Sequence, residues 1–476
     1  MEFYELMVKG FDEAGWSQNY VSKEFNINRG ILHRFYRGIG SISRENFREI
    51  IYKIPLSYSQ KTLLIESFYK DSVGTDTFRR ITHIGNVLKE MSKKESNAQS
   101  EYKSNPITVE DPEKITFLYS SQIKMAVDYI FENAAPGKIY TNYPFSFSDV
   151  DEATFNHYLK NRSWDIIHII NFKIDGEDGE NIDNLFHAIK WVEHQCSPYY
   201  NVSGNKTDEN IPFPCFFAAD SYCILFHPKN KRGILVKNNG IFECIQDEAL
   251  DFLKKAIPLA SYPKDLFELK NDCSRVSGEL IEMSISKNPC ISSIINEESL
   301  NEVIRDDIPG IESIKKISAE HYSKLAKNYK QKHVVTDNGL RNFVETGKII
   351  ECPAAILKKE QLPLKYRKQY IQLMLDYIKD ERLLIIDSKV FQLPNISLEL
   401  CDSNIQIYCV FQDIPQNQQY CGNGIIILND KRLKKDIELF VEYLQVTRGI
   451  YLQNVAEEYL RSILLLCDDE ANQISE

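Results

Sequence analysis

The chain has 476 residues, of which 43% are hydrophobic and 26% charged, and a formal net charge of −11. That length exceeds what one ordinary core organises and points to roughly two to four domains. The composition is that of a globular protein and excludes a disordered chain. No stretch approaches ~18 uninterrupted apolar residues, so no membrane span is expected.

Eleven cysteines are scattered from Cys196 to Cys467. No Cys-x-x-Cys and no paired Cys/His spacing offers a zinc site, so reduced and mostly buried thiols are expected, without a disulfide framework. The opening residues Met1-Glu2-Phe3-Tyr4-Glu5 are acidic and amphipathic, unlike a secretory signal, and a cytoplasmic location is expected. The charge is uneven. Residues 1–95 carry 15 Lys+Arg against 12 Asp+Glu, a net +3, while the remainder carries 42 against 56, a net −14. From Arg29 to Arg48 there are five arginines and one glutamate. A small basic head on an acidic body is the footprint expected when one module alone meets phosphates.

Apolar residues recur at helical spacing through residues 1–91: Phe3, Leu6 and Met7, then Val21 and Phe25, then Phe47, Ile50 and Ile51. Leu63, Leu64 and Phe68 continue the pattern, and Ile81, Ile84, Val87 and Leu88 close it. Breaks at Gly15, Asn26, Gly38-Ile39-Gly40, Pro55 and Gly74 divide the segment into about five helices. From Ser92 to about Pro112 the chain turns polar, which predicts an exposed linker.

Beyond it, a helix is expected over Ile115–Glu132, closed by Pro136-Gly137, and a strand over Lys138–Asn142. A helix near Glu152–Leu159, a buried strand over Asp165–Asn171 and a helix over Ile182–Cys196 follow. Strands at Cys215–Ala219, Tyr222–Phe226 and Gly233–Val236 precede a helix at Glu248–Ala256. Near-continuous apolar strands alternating with helices predict a parallel or mixed α/β sheet. The C-terminal third repeats the idea. Helices are read at Asn338–Thr346 and Leu364–Lys379, strands at Leu383–Ile386, Asn404–Phe411 and Gly424–Leu428, and helices at Lys431–Val446 and Gln453–Leu466. The series Tyr222–Phe226, loop, Gly233–Val236, helix parallels Ile407–Phe411, loop, Gly424–Ile427, helix. A diverged duplication and chance both produce such a match.

The run from Trp16 to Gly38 is the most informative. Ser17 is a good N-cap, and Gln18 in the first turn of that helix is placed to reach a phosphate oxygen. Val21, Phe25, Ile27, Leu32 and Phe35 supply buried faces, and Ser22 falls where two helices cross. Asn26 holds the turn, where the left-handed backbone favours glycine and, next to it, asparagine. Asn28 caps a second helix, which leaves Arg29, Gly30, His33, Arg34 and Arg37 on or near its exposed side. A helix so presented fits the major groove of DNA, where arginine grips guanine or neutralises phosphate.

Taken in order, Ser17-Gln18, Val21-Ser22, Phe25-Asn26-Ile27-Asn28, Leu32-His33-Arg34 and Gly38 resemble the helix-turn-helix of the Cro-repressor-type (Xre) regulators. That family usually shows Thr/Ser-Gln, Leu-Ala, Leu-Gly-Val-Ser, Ile-Ser-Arg and Gly at these places. Asn26 for glycine and Ser22 for alanine are mild departures, while His33 for serine falls on a DNA-contact position and bears on sequence preference. The resemblance covers about residues 1–70. It implies double-stranded DNA as partner and Gln18, Asn28, Arg29, Gly30, His33, Arg34 and Arg37 as contact residues. The order of head, central α/β domain and smaller C-terminal α/β part is similar to that of long one-component bacterial regulators with uncharacterised sensor domains.

The body offers little chemistry. Gly-x-x-x-x-Gly-Lys-Ser/Thr, Gly-x-Gly-x-x-Gly, His-Glu-x-x-His and Gly-x-Ser-x-Gly do not occur. His227-Pro228-Lys229 has the His-x-Lys core of a phospholipase-D-type motif, whose domain is built from two α/β halves. Ile234 stands where that motif needs aspartate, and no second copy exists. The stretch Asp175-Gly176-Glu177-Asp178-Gly179-Glu180 reads as a solvated turn, its spacing unlike an EF-hand loop. His157, His168, His187 and His194 read as core or surface histidines, because His187 and His194 lack the i, i+4 partner a metal wants. Aromatic residues from Tyr140 to Phe217 read mainly as core, with a ligand pocket in this domain as the default site.

The expected chain is multidomain: a helix-turn-helix domain (1–91), a polar linker (92–112), a central α/β sensor domain (113–262), a mostly helical connector (263–335) and a C-terminal α/β domain with terminal helices (336–476). The expected function is sequence-specific transcriptional regulation by a homodimer, with Lys431–Val446 and Gln453–Leu466 as dimer elements and a small-molecule or protein signal read by the body. No catalytic residue, metal or cofactor is expected. The alternatives are a DNA-guided enzyme or effector of a mobile-element or defence system, and an adaptor whose head binds protein.

Overall fold

The computed structural model describes residues 2–96, 107, 115–142, 164–173, 179–193, 197–203, 213–227, 230–261, 280–290, 294, 297–307, 311–313, 315–316, 319, 331–348, 358, 361–410 and 423–475. Six helices come first: α1 (Phe3–Glu13), α2 (Gln18–Glu24), α3 (Arg29–Tyr36), α4 (Arg44–Lys53), α5 (Tyr58–Val73) and α6 (Thr75–Ser96). Ser17, Ser43 and Ser57 cap α2, α4 and α5 by accepting the backbone N–H of Tyr20, Asn46 and Gln60. Each such cap is worth about 1 kcal/mol. The head's core is ring-rich: Phe47 stacks on Phe68 at 3.9 Å, and Phe3 meets Phe35, Phe47 and Phe68 edge-on. The polar linker read at 92–112 begins inside α6, which runs on to Ser96. The remainder, Ile107 apart, lies outside the described residues.

Next come β1 (Thr116–Tyr119), α7 (Ser120–Asn133), β2 (Lys138–Thr141), β3 (Asp165–Lys173), α8 (Glu180–Glu193) and β4 (Ser197–Ser203). They are followed by β5 (Cys215–Ala219), β6 (Tyr222–His227), β7 (Arg232–Lys237), α9 (Asn239–Leu253) and β8 (Ile257–Pro258). The strands form a sheet in the order β1-β7-β6-β5-β2-β3-β4-β8. Its side chains alternate between helices on two faces. Ile139, Phe217, Ile224 and Leu235 pack under α7, while Tyr140, Ala218, Cys223 and Val236 pack under α9. Burial on both faces is why these strands read as continuous apolar runs.

The second sheet contains β9 (Ala260–Ser261), β10 (Ile281–Ser286), β11 (Lys332–Thr336), β12 (Leu383–Ile386), β13 (Ile396–Cys401), β14 (Ile405–Val410) and β15 (Asn423–Leu428). Its helices are α10 (Glu297–Val303), α11 (Asp337–Thr346), α12 (Leu364–Lys379), α13 (Lys431–Val446) and α14 (Gln453–Ser475). The strand order is β12-β11-β10-β13-β14-β15-β9. In each sheet two parallel pairings lead into an antiparallel meander, β2-β3-β4 with β5-β6-β7 in one and β10-β11-β12 with β13-β14-β15 in the other. The leading strand of each, β1 or β9, closes on the last strand of its meander. Registers match as well: β6 and β7 pair from Tyr222↔Lys237 to His227↔Arg232, and β14 and β15 from Ile405↔Leu428 to Val410↔Asn423. The body is therefore one seven-stranded topology used twice, with β8 added at an edge.

The chain is multidomain, a helical head followed by mixed α/β sheets, as expected. Several elements differ from the sequence reading. The helix expected from Ile115 begins at Ser120, because Thr116-Phe117-Leu118-Tyr119 pairs with β7 as an edge strand. The helix expected at Glu248–Ala256 begins at Asn239, capped by Asn238. The stretch 263–335, read as a helical connector, contributes β10 and β11, and β10 is an interior strand of the second sheet, parallel to β11 and antiparallel to β13. The helix near Glu152–Leu159 lies outside the described residues.

The head is seated on the body through α6. Ile81, Ile84, Leu88 and Met91 join one core with α8 and with the inner face of the second sheet and α13. Gly85 permits the approach: a Cβ there would stand 2.9 Å from the ring of Phe440. Val446 of α13 is buried in the head's own core.

Candidate nucleic-acid interface

Helices α2 and α3 form a helix-turn-helix. Asn26 adopts φ +48°, the left-handed turn that asparagine tolerates. Ser22 does more than allow close approach. Its buried hydroxyl donates to the Ile27 carbonyl at 2.8 Å, which ties α2 to the turn. Asn28 caps α3, its side chain accepting the Gly30 N–H at 2.8 Å. Gly38 ends α3 at φ +69°, where any side chain is strained, and a Cβ there would stand 2.8 Å from the ring of Tyr4 and force it to shift.

Leu32 and Phe35 turn α3 into the core. Asn28, Arg29, Gly30, His33, Arg34 and Arg37 are all exposed on the helix or its cap, and Gln18 is half-buried in the first turn of α2. No ion pair or side-chain hydrogen bond ties Arg29, His33, Arg34 or Arg37 to any described residue. Sequence reasoning overlooked Ile31, which is 40% exposed at the flank of the same helix. Exposed apolar side chains on such a helix are of the kind that suits a thymine methyl group, and helical spacing alone does not single this one out. Tyr36, at the end of α3, keeps its hydroxyl buried, and burial with Asp12 nearby pushes its pKa up to about 12.

The other arginines of the basic run behave differently. Arg44 pairs with Glu442, and Arg48 donates to the Gln445 side chain at 3.4 Å. The Tyr52 hydroxyl donates to the Gln445 carbonyl at 2.7 Å. Deeper in, Arg80 grips Asp436 through Nε at 2.6 Å and Nη2 at 3.2 Å, both side chains almost fully buried. His83 of α6 meets Asp183 of α8 at 2.7 Å, a hydrogen bond that raises the His83 pKa. The basic run is thus two surfaces, one free and one docked.

In the body, His227 ends β6, while Pro228 and Lys229 lie outside the described residues. By register the second half carries Val410 where the first carries His227, and Ile425 where the first carries Ile234, so neither half brings an aspartate to that place. His168 is buried in β3. His157, His194 and the side chain of His187 lie outside the described residues, as do Tyr143, Phe145, Phe147 and most of the acidic turn. Among the described residues no group of three or more His, Cys, Asp or Glu is arranged to hold a metal ion. No helix among the described residues is long and apolar enough to cross a membrane.

No family model matches the chain, and no curated protein does. Among solved structures it is similar to TrmBL2, an archaeal chromatin protein with a novel mode of DNA binding. That likeness is 10% identical over 48% of this chain and 83% of the other, at TM-score 0.24. It is also similar to the phosphatidylserine synthase of Haemophilus influenzae Rd KW20, 12% identical over 80% of this chain and 97% of that one, at TM-score 0.26. Scores this low carry no argument about function.

Proposed function

We propose that the protein is a sequence-specific, DNA-binding transcriptional regulator of the Cro-repressor type, and that α3 enters the major groove. The observation that carries this reading is the pairing state of the arginines. Arg29, Arg34 and Arg37 stand exposed and uncompensated on a capped helix, in a chain of net charge −11, while Arg44, Arg48 and Arg80 are engaged with α13. Unpaired arginines on such a helix are suited to phosphate and guanine. His33 and Ile31 add contacts that set preference, and Gln18 approaches the backbone from α2.

One short helix gives limited affinity, so recognition by two heads of a homodimer is part of the proposal. Of the two helices first assigned to that role, α13 spends its apolar face within the chain, on the head and the second sheet. Helix α14 leaves Leu465 and Leu466 exposed and is the better dimer element. The body reads a signal, and the whole acts in the cytoplasm without catalysis.

The test is a mobility-shift titration of the full chain against the DNA beside its own gene. Saturable binding that weakens steeply with salt is expected. Absence of binding to that DNA and to selected random duplexes at low salt would contradict the proposal.

A further inference from the structure

A cleft of about 410 Å³ opens between α5 and α6 of the head and the end of α13. Its walls are apolar where Tyr58, Phe391 and Tyr443 contribute, and three cations converge on it: Lys61, Lys89 and Arg448. None of the described residues lining it is acidic, although the chain as a whole carries an excess of carboxylates. Lys61 is half-buried, and burial together with the Arg448 charge lowers its pKa. Its one hydrogen bond is a 3.4 Å contact to the Tyr52 carbonyl. Arg448 holds a left-handed backbone, φ +63°, at the turn after α13. The Arg448 guanidinium lies over the Tyr52 ring at 5.7 Å and its charge acts on Lys61, with no carboxylate among the described lining residues, an arrangement that an anion relieves.

We propose that this cleft binds a small organic anion with an apolar body, its charge between Lys61 and Arg448 and its body against Tyr58, Phe391 and Tyr443. Lys89 flanks the site, its ammonium 5.4 Å from the Phe391 ring centre. Such a ligand touches the head through α5 and the second half through α13 at once, so its occupancy biases how the head sits on the body. Its regulatory meaning rests on the DNA-binding reading above, whereas binding itself is measured without DNA.

The experiment is calorimetric titration of the full chain with 2-naphthalenesulfonate and with its neutral counterpart, 2-naphthalenesulfonamide. The sulfonate should bind one per chain and at least about tenfold more tightly than the sulfonamide. Lys61→Gln combined with Arg448→Gly should erase that difference; glycine suits the left-handed position, and an unchanged circular dichroism spectrum checks that the variant is folded. Lys61→Arg should keep it. Equal affinity for the two probes, affinity unmoved by the double substitution, or no saturable heat overturns the assignment. Loss of DNA binding with sulfonate binding intact would strike the proposed function alone. DNA binding intact with sulfonate binding indifferent to the substitutions would strike the cleft alone.

Discussion

Helices α3 and α4 are neighbours in the same head, both carry arginine, and they do opposite things with it. On α3 the guanidinium groups point to solvent with no partner among the described residues; on α4 they reach α13, and Arg44 meets Glu442 across a separation of 398 residues. Charge density alone makes the two helices look alike. What separates them is compensation, because an arginine already satisfied by a carboxylate has little left to offer a phosphate. The lesson is that a basic run should be divided by partner before it is assigned a target.

Substitutions on the docked side should affect stability and leave DNA affinity alone. The largest expected effect is at the buried pair: Asp436→Ala leaves Arg80 uncompensated and should cost about 3–5 kcal/mol in chemical denaturation, whereas Arg80→Met with Asp436→Leu should recover most of the loss. Gly85→Val should cost about 1–3 kcal/mol by driving α6 off Phe440, measured in the same way. Arg44→Ala removes a half-exposed pair and should cost only about 0.2–1 kcal/mol.

The His83–Asp183 contact adds a pH signature. The folded pKa of His83 is raised above its ordinary 6.5, so the stabilisation is fully present below that pH and fades as pH rises through the higher folded value. Because the pair is partly exposed, its amplitude should stay under about 1 kcal/mol. His83→Asn should flatten this part of the stability profile, and a profile unchanged by the substitution would show that the pair contributes nothing.

The helix-turn-helix was legible because its determinants are local. Ser17, Asn26, Asn28 and Gly38 act within a few residues of where they stand, as caps and turns do. Strand β1 was misread because Phe117 and Leu118 run into the periodicity of α7. Strands β10 and β11 were hidden because Ser284, Ser286 and His333 interrupt an apolar run in short strands. The repeated topology showed in sequence only at β6–β7 and β14–β15, where both strands of each hairpin are nearly continuous in apolar residues. The docking of α4 and α6 on α13 was illegible altogether, since no local pattern records a contact made hundreds of residues away.

The measurement that bears most directly on the account is fluorescence anisotropy of a labelled duplex from beside the gene, titrated with the full chain and two double variants. Arg29→Ala with Arg34→Ala should weaken binding by at least about a hundredfold. Arg44→Ala with Arg48→Ala should change it by less than about threefold, in keeping with side chains already engaged elsewhere. Equal losses in the two variants, or a larger loss from the second, would contradict the division of the head into a free face and a docked one.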